Sequence, residues 1–269
     1  MCSVWGCVGF THRSIRMADS LAAVVLAAGS GTRLWPLTRL RPKALCPVDN
    51  VPLVDLAVER ARTVTTAIAV NVHHGRMALE SHLAGRVHLS IENDRALGTA
   101  GGVGRLRSWI DRRPVLVTNA DAWLGHDVDL SGFVSGWDRE RIRLLVVPGG
   151  RRSDFGDRRY AGCALMAWRD VEPLPDEPAG LYERSWRGAY ADGRLDLVDH
   201  DGPFFDCGSA TDYLAANLAA SGGASVIGQG AIVEGDVVES VVWPGGHVHG
   251  QEHLLRAIRT DDRVTVLVR

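Results

Sequence analysis

Short apolar runs rich in β-branched residues alternate along this chain with segments whose apolar residues recur at helical spacing. Val24-Val25-Leu26 runs into the small-residue stretch Ala27-Ala28-Gly29-Ser30-Gly31, the pattern of a buried strand entering a turn. Between Pro52 and Arg62, Leu53, Leu56, Ala57 and Val58 fall near one helical face, and residues 67–71 then read as a strand. A helix over Arg76 to Leu83 and a strand over Val87 to Ile91 follow, then apolar strands over residues 113–121, 142–147 and 160–168, and a helical segment over Leu181 to Ala191. Strand and helix in alternation predict an α/β fold: a Rossmann-like open, mostly parallel twisted sheet with flanking helices.

The two ends have a different character. Residues 1–20 lack a clear period, and without a cationic stretch leading into an apolar run no secretory signal is expected there; a floppy extension is expected, with Met17 a natural start. From Ser225 onward, Ile227 to Val238 repeats an apolar residue and glycine at sixfold spacing, like a hexapeptide-repeat β-helix. About two such hexads are too few for a free-standing solenoid, so this fragment is expected to pack on the main domain or on another subunit, making a homo-oligomer one outcome. The expected division is an extension over 1–20, a catalytic domain over 21–222 and a β-helix-like fragment over 223–269.

Composition narrows the function. A length of 269 residues, 46% of them hydrophobic, suits one large α/β domain with a small appendage, and a net charge of −2 does not favour nucleic acid. No apolar run approaches the length of a membrane span. Five Cys without a CxxC pair fit reduced thiols in a cytoplasmic protein. Lys and Arg together number 30, of which one is Lys, leaving 30 − 1 = 29 Arg. That single ammonium is Lys43, where a compact point charge acts on a phosphate differently from a planar fork.

Gly29 and Gly31 permit positive φ and close approach of a ligand to the main chain, while Thr32 and Arg33 add a hydroxyl and a fork of donors for phosphate oxygens. A dinucleotide fingerprint would need a third Gly where Leu34 stands, and a P-loop would need Gly-Lys-Ser/Thr where the chain has Gly31-Thr32-Arg33. What the stretch resembles is the signature of the sugar-1-phosphate nucleotidylyltransferases: Leu26-Ala27-Ala28-Gly29-Ser30-Gly31-Thr32-Arg33-Leu34, then Pro36-Leu37-Thr38, Pro42-Lys43-Ala44-Leu45 and Pro47-Val48. The resemblance implies a nucleotide-diphospho-sugar transferase type of sheet and the reaction NTP + sugar 1-phosphate → NDP-sugar + diphosphate.

Further blocks extend the resemblance to about residue 220. Glu92 to Gly102 enters a helix through small residues, and the family places this loop, with Gly98 and Thr99, against the nucleobase and the sugar. Asp121, at the end of an apolar strand, matches the family's metal-binding aspartate; capping a following helix is the alternative. Asp206, in Phe204-Phe205-Asp206-Cys207-Gly208, matches the second aspartate, again with a helix cap as the alternative. Together the two carboxylates suit Mg²⁺. Gly162 matches a glycine that lets the sugar approach. Many relatives carry a Glu-Lys-Pro whose Lys holds the sugar phosphate; this chain has none, and Arg151, Arg152, Arg158 and Arg159 are the cations at hand. His73, His74 and His82 raise a metal alternative, but no third ligand is spaced to complete it.

The implied roles are Arg33 and Lys43 in catalysis, Leu26, Ala27, Ala28, Gly29, Gly31, Thr32, Arg33, Glu92, Gly98 and Thr99 on the nucleotide, Gly162 on the sugar, and Asp121 and Asp206 on the metal. Asn71 to His74 and Leu97 to Gly102 resemble the branch holding mannose-1-phosphate guanylyltransferases and N-acetylmuramate-1-phosphate uridylyltransferases. GTP with mannose 1-phosphate is the preferred pair, because a Glu92 carboxylate on the base edge would accept from the guanine N1–H and amino group. UTP with N-acetylmuramate 1-phosphate is the alternative, and a catalytically weak ligand sensor is the alternative of another class.

Overall fold

The computed structural model describes residues 21–126, 128–150, 152–261 and 264–268. The expected N-terminal extension, Cys2, Cys7 and Arg151 lie outside the described residues. The core is a seven-stranded sheet built from β1 (Ala22–Leu26), β2 (Ile68–Val72), β3 (His88–Ile91), β4 (Val115–Asn119), β6 (Ile142–Pro148), β7 (Arg158–Met166) and β8 (Leu195–Asp199) in the order β8-β6-β7-β4-β1-β2-β3. Two short strands, β5 (Ala122–Trp123) and β9 (Phe205–Asp206), pair apart from it. In the large sheet β2 and β4 flank β1 in parallel, and β7 alone runs antiparallel, between β4 and β6. The expected open, mostly parallel sheet is therefore the one observed.

The strand pattern follows from burial on both faces. In β1, Ala23 and Val25 join one apolar layer while Ala22 and Val24 join the other, so successive side chains feed two cores. Helix α1 (Leu53–Arg62) covers the first layer with Val54, Ala57, Val58 and Ala61, an i, i+3, i+4, i+7 stripe. Full burial of each Val contributes about 1.5–3 kcal/mol, which locks α1 to the strands beneath it. Helices α2 (Arg76–Leu83) and α3 (Gly98–Arg105) follow β2 and β3. Among the described residues no helix is long and apolar enough to cross a membrane.

The C-terminal chain winds as a coil of short parallel strands. Val226 pairs with Val241 and Ile232 with His247, fifteen residues on in each case, whereas Asp236 pairs with His253, seventeen on. Val242, Val248 and Leu254, six residues apart in the second turn, are buried in one cluster, while the differing offsets make the turns unequal in length. The coil packs on the rest of the chain: Trp243 and Ile258 are fully buried in a cluster with Leu34, Leu37, Tyr213 and Leu214. Trp243 Nε1 donates to the Tyr213 hydroxyl at 3.0 Å, and that hydroxyl donates to the Pro47 carbonyl.

Candidate active site

The carboxyl ends of β1, β2 and β4 converge, as open α/β sheets require of a ligand crevice. A cleft there is lined by Leu26, Ala27, Ala28, Gly29, Lys43, Asn71, Gly98, Thr99, Asn119 and Asp121. Beside it a second cleft is lined by Arg33, Asp121, Arg152, Arg159, Tyr160, Gly162, Phe204 and Asp206. Asn119 and Asp121 belong to both, so the two clefts meet at the end of β4. Of the residues singled out from sequence, Gly31, Thr32 and Glu92 line neither.

The meeting point is a charge cluster. Asp206 lies beside Asp121 because β9 pairs antiparallel with β5, setting Asp206 opposite Ala122, and the Cys207 N–H donates to the Asp121 carbonyl at 3.0 Å. Lys43 Nζ donates to Asp121 Oδ2 and stands 3.9 Å from Asp206 Oδ1. Arg159 Nη2 is 3.4 Å and Arg33 Nη2 3.7 Å from Asp206 Oδ2. Three cations thus face two carboxylates. The helix-cap alternatives fail: Asp121 leads into a strand, and helix α4 (Ala210–Ala220) is capped by Ser209, whose hydroxyl accepts from the Asp212 N–H.

The glycines divide by cause. Gly31 sits in the left-handed region at φ 63°, and a Cβ there would lie 2.9 Å from Lys43 Cβ, so its role is to pack the lysine stem. Gly29 has no positive φ, correcting the expectation; a Cβ there meets nothing within 4 Å, which leaves the backbone open to the cleft. In α3, Cβ atoms on Gly98, Gly101 and Gly104 would strike the Ala179, Glu177 and Pro175 carbonyls at 2.7, 2.2 and 2.1 Å. Their i, i+3 spacing lets α3 press on that backbone segment, so this glycine pattern serves packing as well as the cleft wall. Gly162, at φ 90°, would bring a Cβ to 2.4 Å from Ala122 Cβ, which holds β7 tight against β5.

Glu92 departs from the position on the base edge that the guanine preference needed. Its side chain is buried, with Oε1 accepting from Asn71 Nδ2 at 2.7 Å and Oε2 from the Leu97 N–H at 2.8 Å. Asn71 Oδ1 in turn accepts from the Ala27 N–H at 2.8 Å. This relay ties the β1 turn to the α3 entry, and both oxygens are committed to it. Arg60, also missed in the sequence, is buried and donates to the carbonyls of Asn119 and Ala122, bracing the backbone that carries Asp121. Neither had a local signal beyond an Asn at a strand end and an Arg on an apolar helix face.

Of the arginines considered for the sugar phosphate, Arg159 turns into the second cleft, its guanidinium 5.1 Å from the Phe204 ring centroid, whereas Arg158 is drawn off by Asp199 at 2.6 Å. His73 Nδ1 lies 2.6 Å from the Glu92 carbonyl and His82 Nε2 2.8 Å from Asp55, so these histidines share no site. Cys46 and Cys207 are fully buried near Lys43; burial pushes the Cys46 thiol up to about 12 and Cys207 higher still. A raised thiol pKa keeps the unreactive S–H form at pH 8. Iodoacetamide at pH 8 followed by peptide mass mapping is expected to leave Cys46 and Cys207 unmodified until the chain is denatured. Modification of both in the native state would contradict the packing of this site.

Comparison with known proteins places the geometry. Residues 22–156 match the family of nucleotidyl transferases. An N-acetylmuramate alpha-1-phosphate uridylyltransferase of Caulobacter vibrioides is 32% identical over 72% of this chain and 94% of its own length. A mannose-1-phosphate guanyltransferase of Schizosaccharomyces pombe is 24% identical over 72% of this chain and 62% of its own. A solved structure from Thermus thermophilus, described as a mannose-1-phosphate geranyltransferase, shares the fold with a TM-score of 0.69 at 18% identity, covering 92% of this chain and 95% of that one. By its signature and by these matches, the chain belongs to the nucleotidyl transferase family, as one of its sugar-1-phosphate nucleotidylyltransferases.

Proposed function

We propose that the chain transfers a uridylyl group from UTP to a sugar 1-phosphate of the N-acetylmuramate type, with the chemistry at the cluster of Lys43, Asp121, Asp206, Arg33 and Arg159. The observation that carries the site is that cluster's place on the wall shared by the two clefts. The nucleotide lies in the first cleft, against Leu26 to Gly29 and Gly98-Thr99. The sugar 1-phosphate lies in the second, with its phosphate on Arg159 and Arg152 and its ring against Gly162.

An oxygen of the sugar phosphate bonds to the α-phosphorus as the bond to the bridging oxygen breaks, and diphosphate departs with the electron pair. A phosphate monoester is mostly ionised at pH 7, its second pKa being about 6, so the nucleophile needs no general base. Positioning and charge are what remain for the protein. Lys43 neutralises the α-phosphate oxygens, and Arg33, at the mouth of the site, takes the departing diphosphate. Two hard carboxylates converging on the Lys43 ammonium form a donor set that already holds a cation, which fits Mg²⁺ on Asp121 and Asp206. Bound there, that ion would supply further positive charge to the phosphate oxygens.

Two observations favour uridylyl over guanylyl transfer. Glu92 is buried, lines neither cleft and already has a partner on each oxygen, which turns it away from the extra donors of guanine, and the uridylyltransferase relative is the more similar over nearly its whole length. Arg152 and Arg159 on the acceptor side also suit a sugar bearing a carboxylate besides its phosphate. Mannose 1-phosphate with GTP is the second reading, supported by the fungal relative. Thermal-shift titration is expected to give a larger rise in Tm with UTP than with GTP, since a ligand that binds only the native state stabilises it according to its affinity. A larger rise with GTP would reverse the choice and leave the transfer chemistry in place.

Arg159, which lines the second cleft, would take over the role of the missing Glu-Lys-Pro lysine. Arg159→Ala is expected to raise KM for the sugar 1-phosphate about tenfold or more, the worth of a lost charge-assisted hydrogen bond, with the nucleotide-induced thermal shift kept. An unchanged sugar-phosphate KM would restrict Arg159 to pairing with Asp206.

A further inference from the structure

The coil carries a second set of ligating side chains that nucleotidyl transfer does not use. His247 and His249 flank Val248, which is buried in the coil's own apolar core. His249 follows directly on the strand His247–Val248, and its ring lies against that of His247, so both imidazoles emerge together. The preceding turn supplies the third group. Val233 pairs with Val248 in parallel register, and the Glu234 N–H donates to the Val248 carbonyl at 2.8 Å, which sets Glu234 beside the two histidines.

One ligand atom from each of Glu234, His247 and His249 lies within 4.8 Å of the other two. Glu234 Oε2 is 3.3 Å from His247 Nε2, and the imidazole centroids are 3.9 Å apart at 44°. Bonds of about 2.0–2.1 Å in tetrahedral array put neighbouring ligand atoms about 3.4 Å apart, so the Glu234–His247 pair is already at that separation and a small side-chain rotation brings His249 to it. The backbone beneath is held from behind. Arg259, itself buried, donates from Nη1 to the His247 carbonyl at 3.1 Å and pairs with Glu252, which accepts from the His249 N–H at 2.8 Å. Two imidazoles in contact, with a single carboxylate between turns, are a poor arrangement for charged rings and a good one for neutral rings donating lone pairs to a cation.

We propose that Glu234, His247 and His249 bind a zinc-class divalent cation that ties the first turn of the coil to the second. Two imidazoles and a carboxylate select zinc or a neighbouring transition metal over magnesium, which prefers oxygen alone. Three protein ligands on an exposed face leave the fourth position to water. The role is mechanical: a coil of so few turns has little core of its own, and an ion bridging adjacent turns supplies a cross-link that burial does not.

The test uses the untagged full-length chain, stripped with chelator and kept in Mg²⁺ so that the carboxylates at the head of the sheet stay satisfied. Titration with ZnCl₂ is expected to show one equivalent bound and a rise in Tm. His247→Gln and His249→Gln are each expected to weaken that binding more than about tenfold and to remove the rise, with diphosphate release unchanged. Asp121→Asn with Asp206→Asn is expected to keep it, which separates this site from the catalytic one. Co²⁺ in place of zinc should give the visible absorption of a four-coordinate ion in the parent and not in Glu234→Gln, a readout independent of stability. No zinc-dependent shift in the parent, or a shift undiminished by the histidine substitutions, overturns the proposal.

Discussion

Lys43→Arg is expected to lower kcat about 10²–10³-fold, with Tm close to that of the parent. The magnitude is that of removing one preorganised donor from a developing charge. Lys43 is 9% exposed, its stem is packed by Gly31, and its ammonium touches Asp121 while standing 3.9 Å from Asp206. A compact –NH₃⁺ can serve both carboxylates and then a phosphate oxygen by rotating three donors about one point. A guanidinium spreads its charge over a rigid plane, and the space between Gly31 and the two carboxylates is built for the smaller head. Stability should suffer little, because both carboxylates are partly exposed and Asp206 retains Arg33 and Arg159 nearby. Single-turnover measurement of diphosphate release, beside a melting curve, checks this. Turnover within about threefold of the parent would remove Lys43 from the chemistry.

The second large effect concerns the carboxylates. Asp121→Asn and Asp206→Asn are each expected to lower metal-dependent turnover about 10³-fold, a few kcal/mol of transition-state stabilisation. The double variant should be little worse than either single one. Both side chains converge on the same ammonium, the β5–β9 pairing places them side by side, and residues that act on one ion lose their function together. Carboxamides keep the shape and discard the charge, so the fold should be preserved. Turnover recorded against divalent-cation concentration, with chelator as the zero point, separates loss of the ion from loss of the substrate site. Losses that multiply in the double variant would mean that the two aspartates work independently.

How much of this was legible beforehand differs from one residue to the next. The strand ending at Leu26, the helix over Arg76–Leu83 and the strand leading toward Asp121, which stops at Asn119, were written in local order, since burial on a sheet face or a helix stripe leaves a period of 2 or 3.6 in the residues themselves. The signature around Lys43 was legible for a related reason. A turn that exposes its backbone and brings a cation to phosphate needs particular residues at particular spacings, and those are adjacent in the chain.

What the local pattern does not carry is partnership. Asp121 and Asp206 lie 85 residues apart and meet through two residue pairs of a β-ladder, a register set by the packing of everything around it. Arg158 and Arg159 are neighbours with the same side chain, yet strand alternation sends one to Asp199 and the other to the cleft. Glu92 reads in sequence as an available carboxylate. Only the arrival of Asn71 and the Leu97 amide engages both its oxygens, and with them the ground for preferring guanine. The order of residues alone determined an α/β sheet, its switch into a glycine-containing turn and the set of chemical groups on hand, because each is a short-range demand on burial or backbone angle. Which of those groups face one another was decided by the tertiary structure, because it depends on long-range pairings whose free energy is spread over the whole core.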